Sequence, residues 1–179
     1  APLFEDSPPT TSDSQLLWLS NAETAYQWGA EVSLNYLIHN SDWGINIQAA
    51  YNKGKVTYYD SNSGTALFKK NLPFLSKITA SSMIFYDHPK FNFKLGAIFR
   101  DKYLVRAGSL LLDENETGFM PTTYWDASVN YYFSNYWKLK FSAFNLSNEQ
   151  ERQYSNSTLR AYNSTTSGRT FYLGLSYQY

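Results

Sequence analysis

The sequence predicts an all-β fold, a transmembrane antiparallel β-barrel of about seven strands, and three observations predict it. Apolar and aromatic residues recur at every second position through most of the chain, which is the period of a strand rather than a helix. The clearest apolar stripes run for about nine residues, close to the 9–11 that a tilted strand needs to cross a hydrocarbon layer, and they start and finish on aromatic rings. Short polar turns alternate with long polar connections, the asymmetry of barrels with short periplasmic turns and long exterior loops.

The elements follow in order. Ala1 to Gln15, with three prolines among Ser, Thr and Asp, reads as an irregular tail, and residues 16–179 as the strand-bearing region. In the first strand, Trp28, Ala30, Val32, Leu34 and Tyr36 share a face opposite Gly29, Glu31, Ser33 and Asn35. After the turn His39 to Asp42, Trp43, Ile45, Ile47, Ala49 and Tyr51 oppose Gly44, Asn46, Gln48 and Asn52. Ile78 to Tyr86 is ambiguous, because Met83 and Phe85 interrupt the polar side, so its facing is left open. Phe91, Phe93, Leu95, Ala97 and Phe99 oppose Asn92, Lys94, Gly96 and Arg100. Trp125, Ala127, Val129, Tyr131 and Phe133 oppose Asp126, Ser128 and Asn130, and Trp137, Leu139, Phe141 and Ala143 oppose Lys138, Lys140 and Ser142. Phe171, Leu173, Leu175, Tyr177 and Tyr179 form the last stripe. The turns His39 to Asp42, Asp87 to Lys90 and Ser134 to Tyr136 are short, whereas Asp60 to Pro73, Ala107 to Pro121 and Glu151 to Ser167 are expected to be long exterior loops.

Composition narrows the function. Fifteen Lys+Arg balance fifteen Asp+Glu, so the electrostatic footprint of a nucleic-acid binder is missing. The absence of Cys removes thiolate metal sites and Cys nucleophiles. No apolar run approaches the roughly 18 residues of a membrane helix, while the 18% aromatic content suits strands and interfacial girdles. An odd strand number leaves two unpaired edges in lipid, where each unsatisfied backbone group costs several kcal/mol. Either an eighth strand lies in the tail or in Leu67 to Leu75, or the chain is part of a larger barrel. A soluble β-sandwich also alternates, and the aromatic brackets argue against it.

The segment Ser142-Ala143-Phe144-Asn145-Leu146-Ser147-Asn148-Glu149, a following Tyr154, and Gly168-Arg169-Thr170-Phe171-Tyr172-Leu173-Gly174-Leu175-Ser176-Tyr177-Gln178-Tyr179 resemble the closing strands of TonB-dependent outer-membrane receptors. Asn21 to Ala25 leading to Gly29-Ala30-Glu31, Leu72 to Lys77, and Arg100-Asp101-Lys102-Tyr103 are similar to that family too. The resemblance spans roughly residue 16 to the end and is strongest in the last forty residues. It implies a 22-stranded, plugged barrel of which this chain is about the last seven strands, with residues 1–15 the remnant of an extracellular loop. It further implies location in the bacterial outer membrane and uptake of a scarce solute such as a ferric siderophore, haem, vitamin or oligosaccharide. The implied partners are a polypeptide carrying the plug and remaining barrel, the TonB complex acting through that plug, and outer-membrane lipid. Phe171, Leu173, Leu175, Tyr177 and Tyr179 would form the assembly signal, with Tyr179 where the family more often has Phe. A self-contained eight-stranded barrel with an adhesive, structural or lipid-modifying role is the rival.

Candidate residues follow from this frame. Glu31, Asn35, Asn46, Gln48, Lys94, Arg100, Asp126, Asn130, Lys138 and Lys140 are expected to face the lumen, because charges facing lipid are costly. Tyr58, Tyr59, Arg106, Arg152, Tyr154, Arg160 and Tyr162 lie in or near the expected exterior loops, where rings stack on flat or sugar-like solutes and Arg grips carboxylate or catecholate oxygens. No enzymatic chemistry, cofactor or metal is expected. His39 and His88 sit in separate turns, and Asp113, Glu114 and Glu116 read more simply as a solvated loop than as a cation site.

Overall fold

The computed structural model describes residues 24–59, 63–107 and 116–178. Twelve strands are formed: β1 (Thr24–Leu37), β2 (Trp43–Tyr59), β3 (Ala66–Asn71), β4 (Ile78–His88), β5 (Phe91–Arg100), β6 (Tyr103–Ala107), β7 (Glu116–Phe119), β8 (Thr122–Tyr132), β9 (Trp137–Phe144), β10 (Glu151–Ser155), β11 (Ser157–Thr165) and β12 (Thr170–Tyr177). The main sheet runs β1-β2-β4-β5-β8-β9-β12, wholly antiparallel, and these are the seven strands that the alternation picks out. The described sheet stays open, with β1 and β12 as its edges.

Register carries the alternation across all seven strands. Side chains directly opposite in an antiparallel pair project to the same side, and Tyr36, Ile45, Ile84, Leu95, Ala127, Ala143 and Phe171 form one continuous cross-strand row. The neighbouring row, Leu37, Gly44, Phe85, Lys94, Ser128, Ser142 and Tyr172, lies on the opposite face. Pairing thereby decides the facing of β4: Ile78, Ala80, Ser82, Ile84 and Tyr86 join the apolar face, while Met83 and Phe85 join the polar one. Phe85 is accommodated there because Gly44 opposite it has no side chain, and its ring occupies the space that a Cβ would fill.

The three short connections gather at one end, and each is closed by local chemistry. Ile38 N–H donates to Trp43 O at 2.9 Å and Ser41 N–H to Ile38 O at 3.1 Å, with Asn40 in the left-handed region that asparagine tolerates. At the β8–β9 turn, Ser134 Oγ accepts from the Tyr136 and Trp137 N–H groups at 3.2 and 3.1 Å. Rings cluster beside these turns, with Trp43 against Tyr86 at 5.0 Å and Trp137 against Tyr177 at 4.8 Å.

The long connections differ from the expectation of plain loops, because they carry strands. β3 pairs with the far end of β2, which extends well past Tyr51, and β11-β10-β7-β6 form a second, four-stranded sheet. Short strands beyond the apolar stripes have no long stripe of their own, so alternation alone does not reveal them. The strand in Leu67 to Leu75 does not supply an eighth stave: β3 takes the same edge of β2 as β4, one above the other along the strand.

Burial is confined to a few places. Among the described residues, Val56, Leu104, Ala107, Ala143 and Tyr154 are the buried members of the apolar and aromatic set. Among the described residues the main sheet has no second layer: on its apolar face Val32 is 64% and Leu173 75% exposed. A sandwich would bury such a face against a second sheet, so the soluble alternative does not describe this chain. No helix among the described residues is long and apolar enough to cross a membrane.

Candidate functional site

At the long-loop end, β2 exchanges one neighbour for another. Its residues up to Tyr51 pair with β4 and those from Lys55 pair with β3, so residues 72–77 must bridge the gap. The bridge satisfies β2 at both ends, with Leu72 N–H donating to Gly54 O at 3.1 Å and Asn52 N–H to Lys77 O at 2.8 Å. Gly54 permits this approach, since a Cβ there would meet Leu75 at 2.7 Å and Leu72 at 3.0 Å.

Arg100, the last residue of β5, fastens the bridge. Its Nε donates to Ser76 Oγ at 2.8 Å, its Nη2 to Phe74 O at 3.3 Å, and its guanidinium lies 3.8 Å from the Tyr103 ring centre. Ser76 is buried, and Phe74, with φ of 63°, donates its N–H to Leu104 O at 2.6 Å. Leu72 to Lys77 and Arg100 to Tyr103, two separate sequence motifs, are thus the two halves of one staple joining the main sheet to β6.

From β6 the second sheet builds outward. Tyr103 stacks on Phe119 at 5.1 Å, while Leu104, Gly118 and Tyr154 fall in one row on the other face. Tyr154 is 5% exposed, and its ring would lie 2.5 Å from a Cβ at Gly118, so only glycine fits there. Lys70 Nζ meets Glu116 Oε2 at 3.0 Å and ties β3 to β7. Between these elements lies a cleft of about 460 Å³, with Lys70, Leu72, Leu75, Lys102, Glu116 and Tyr154 among its lining residues. Its size is that of a small-molecule site. Lys53, Lys55 and Lys77 also border it, with the carboxylates Asp101 and Glu116. Burial pushes the Tyr154 hydroxyl above its ordinary pKa, the Glu116 carboxylate pushes the same way, and Lys70 opposes them. At neutral pH the phenol is therefore a protonated donor beside the ion pair.

The structure distributes the seven exterior candidates. Tyr154 lines the cleft. Tyr58 stacks on Phe68 at 4.8 Å, and Tyr59 Oη lies 3.0 Å from Thr24 Oγ1. Arg106 is opposite Thr117 on β6, Arg152 opposite Ser164 on β10, and Arg160 and Tyr162 are exposed on the edge strand β11. Neither alternation nor motif singles out Lys70 and Lys102, although the doublet Lys69-Lys70 and the alternation Lys53, Lys55 are visible in the sequence.

The ten polar candidates Glu31, Asn35, Asn46, Gln48, Lys94, Arg100, Asp126, Asn130, Lys138 and Lys140 share one face of the main sheet by register. Asn46 donates to Asn35 across the β1–β2 pair. Arg100 is committed to the staple, and a hollow of about 610 Å³ beside it is bordered by Glu31, Gln48, Thr79, Ser81 and Ile98. Phe171, Leu173, Leu175 and Tyr177 lie on the apolar face of β12, whereas Tyr179, Asp113, Glu114 and the tail 1–15 lie outside the described residues. Among the described residues no three metal-ligating side chains come together.

Asn145 builds the second polar junction. It is buried, with φ of 53°, and its Nδ2 donates to Glu149 O at 3.2 Å and Gly168 O at 3.1 Å while its Oδ1 accepts from Glu149 N–H at 2.7 Å. Its own N–H donates to Asp126 Oδ1 at 2.9 Å. Leu146 N–H donates to Trp125 O and Ser147 Oγ to Thr123 O, so this segment satisfies the edge of β8 where β9 ends.

Residues 4–146 match the family described as TonB dependent receptor-like, beta-barrel. The match enters the Pro-rich tail and stops short of residues 147–179. Neither curated proteins nor solved structures give a match to the chain.

Proposed function

Because the chain belongs to the TonB-dependent receptor-like β-barrel family, whose members serve transport across the outer membrane, we propose that its main sheet is about seven C-terminal staves of a larger, plugged barrel that imports a scarce solute. The observation that carries this reading is the register. It keeps ten polar residues on one face and the aromatic-ended apolar rows on the other, and among the described residues the sheet is a single layer with two open edges. In lipid such edges must be paired. The partners of β1 and β12 are therefore further strands of the same receptor, and the polar face looks onto water and the plug. Energy reaches the site from the TonB complex through that plug, and no covalent chemistry is involved. The solute is a ferric siderophore, haem, vitamin or oligosaccharide, met by the exterior elements that carry Tyr58, Tyr59, Arg106, Arg152, Tyr154, Arg160 and Tyr162. The cleft at Lys70, Glu116 and Tyr154 lies among these elements.

The test is a gel of outer membranes, unboiled and boiled, probed with antibody to residues 24–178. The expected unboiled species is several times larger than 20.6 kDa and shifts on heating, whether the segment sits in one long chain or is released from a partner. A single small species that shifts on heating to 20.6 kDa, with no larger form in the unboiled sample, would mean a complete small barrel, and the receptor reading would fall.

A further inference from the structure

We propose that the cleft at Lys70, Glu116 and Tyr154 binds hydroxyl groups of the solute, and that the solute is a neutral, hydroxyl-rich molecule of the sugar class rather than an anionic iron chelate. This assignment rests on the transport function proposed above and narrows its solute. Tyr154 is 5% exposed and lines the cleft, and among the described residues its hydroxyl has no hydrogen-bond partner. No fully buried polar side-chain atom among those residues goes unpartnered, so the phenol oxygen is the part of Tyr154 that opens onto the cleft. A donor fixed at the end of a buried ring, with no partner in the protein, is satisfied by whatever fills the cleft.

An acceptor stands beside this donor. Glu116 and Gly118 share a face of β7, and Tyr154 is opposite Gly118, which makes Glu116 its diagonal neighbour. Glu116 Oε2 is held by Lys70 Nζ at 3.0 Å, while Oε1 accepts no hydrogen bond among the described residues. A hydroxyl group donates and accepts at once, so it satisfies both Glu116 and Tyr154. Carboxylate, catecholate and phosphate oxygens only accept, and in this cleft they would meet the Glu116 charge. Leu72, Leu75 and Leu104 add apolar surface on which the C–H face of a sugar ring rests. Of the charges at the cleft, Lys70 balances Glu116 and Lys102 balances Asp101. Lys53 and Lys55 share the apolar-face register of Trp28 and Tyr26, and Lys77 Nζ lies 5.6 Å from the Tyr51 ring centre. Leu72 and Leu75, by contrast, cover Gly54 on the polar face, so the cleft opens on the side by which a solute enters the barrel.

The complete receptor, purified from outer membranes in neutral detergent, is applied to an array of neutral di- to hexasaccharides from α- and β-glucans, xylan, mannan, galactan and fructan, and is titrated in parallel with ferric citrate and with haem. At least one array sugar should bind and be displaced by the same sugar in solution, and neither iron compound should compete. Tyr154→Phe keeps the ring and removes only the donor, and should weaken binding about five- to tenfold; Glu116→Gln should weaken it at least about tenfold. Lys90→Gln, in a turn at the opposite end, should leave it unchanged. Parental affinity in both Tyr154→Phe and Glu116→Gln, equal loss in Lys90→Gln, or binding of ferric citrate or haem that Tyr154→Phe abolishes would overturn the proposal. Receptor that is absent from the outer membrane sinks the transport function instead, whereas receptor assembled there that ignores every sugar on the array sinks this inference alone.

Discussion

Replacing Asn145 by alanine should cost about 4 kcal/mol of barrel stability, although the residue lies in a surface-side turn. Three side-chain hydrogen bonds of ordinary length disappear, to Glu149 O, Gly168 O and from Glu149 N–H, at about 1 kcal/mol each net. The left-handed backbone at φ of 53° adds about 1 kcal/mol for a residue with an unassisted Cβ. Asn145→Gly removes the bonds without the strain and should cost about 3 kcal/mol. Asn145→Asp keeps the acceptor for Glu149 N–H but turns a carboxylate toward two carbonyls, close to Asp126, and should be at least as harmful as alanine. The assay is guanidinium unfolding of the complete receptor in phospholipid vesicles, followed by Trp fluorescence, with Trp125 beside the junction. An alanine variant within about 1 kcal/mol of the parent, or a glycine variant no better than alanine, would refute the junction as a structural element.

Three further outcomes are expected. Ile47→Arg, at the centre of an apolar stripe, should destabilise the membrane-inserted barrel by about 2–4 kcal/mol, whereas its neighbour Gln48→Arg should cost much less; equal costs in vesicle refolding titrations would contradict the facing. Gly118→Ala drives a Cβ into the Tyr103 carbonyl and the Tyr154 ring and should weaken the exterior sheet by about 1–3 kcal/mol, read as faster hydrogen exchange in β6, β7 and β10. The Tyr154 pKa is raised above 10.0 in the folded chain, chiefly by burial. Its contribution is therefore complete below the unfolded value and lost as pH rises through the folded one, so proteolytic resistance of this sheet should fall above about pH 10, and Tyr154→Phe should flatten that fall.

Much of the wall of this protein is decided by local sequence. Strand period is local, so Trp28 to Tyr36 and Trp43 to Tyr51 reveal their two faces and their rims without knowledge of any neighbour. The turns at Asn40 and Ser134 are local for the same reason, since their hydrogen bonds close within five residues. Partner choice is not local. Which face of the sheet Phe85 takes depended on its pairing with Gly44 and Lys94, and β3 became an extension above β4 rather than an added stave because β2 runs far enough to pair with both. The roles of Arg100, Asn145 and Gly118 depend on partners distant in sequence, Ser76, Gly168 and Tyr154 among them, as does the cleft that gathers Lys70, Glu116 and Tyr154 from three strands. A sequence determines at short range which way a side chain points along its strand; what that side chain meets is decided by long-range pairing, which only the folded sheet supplies.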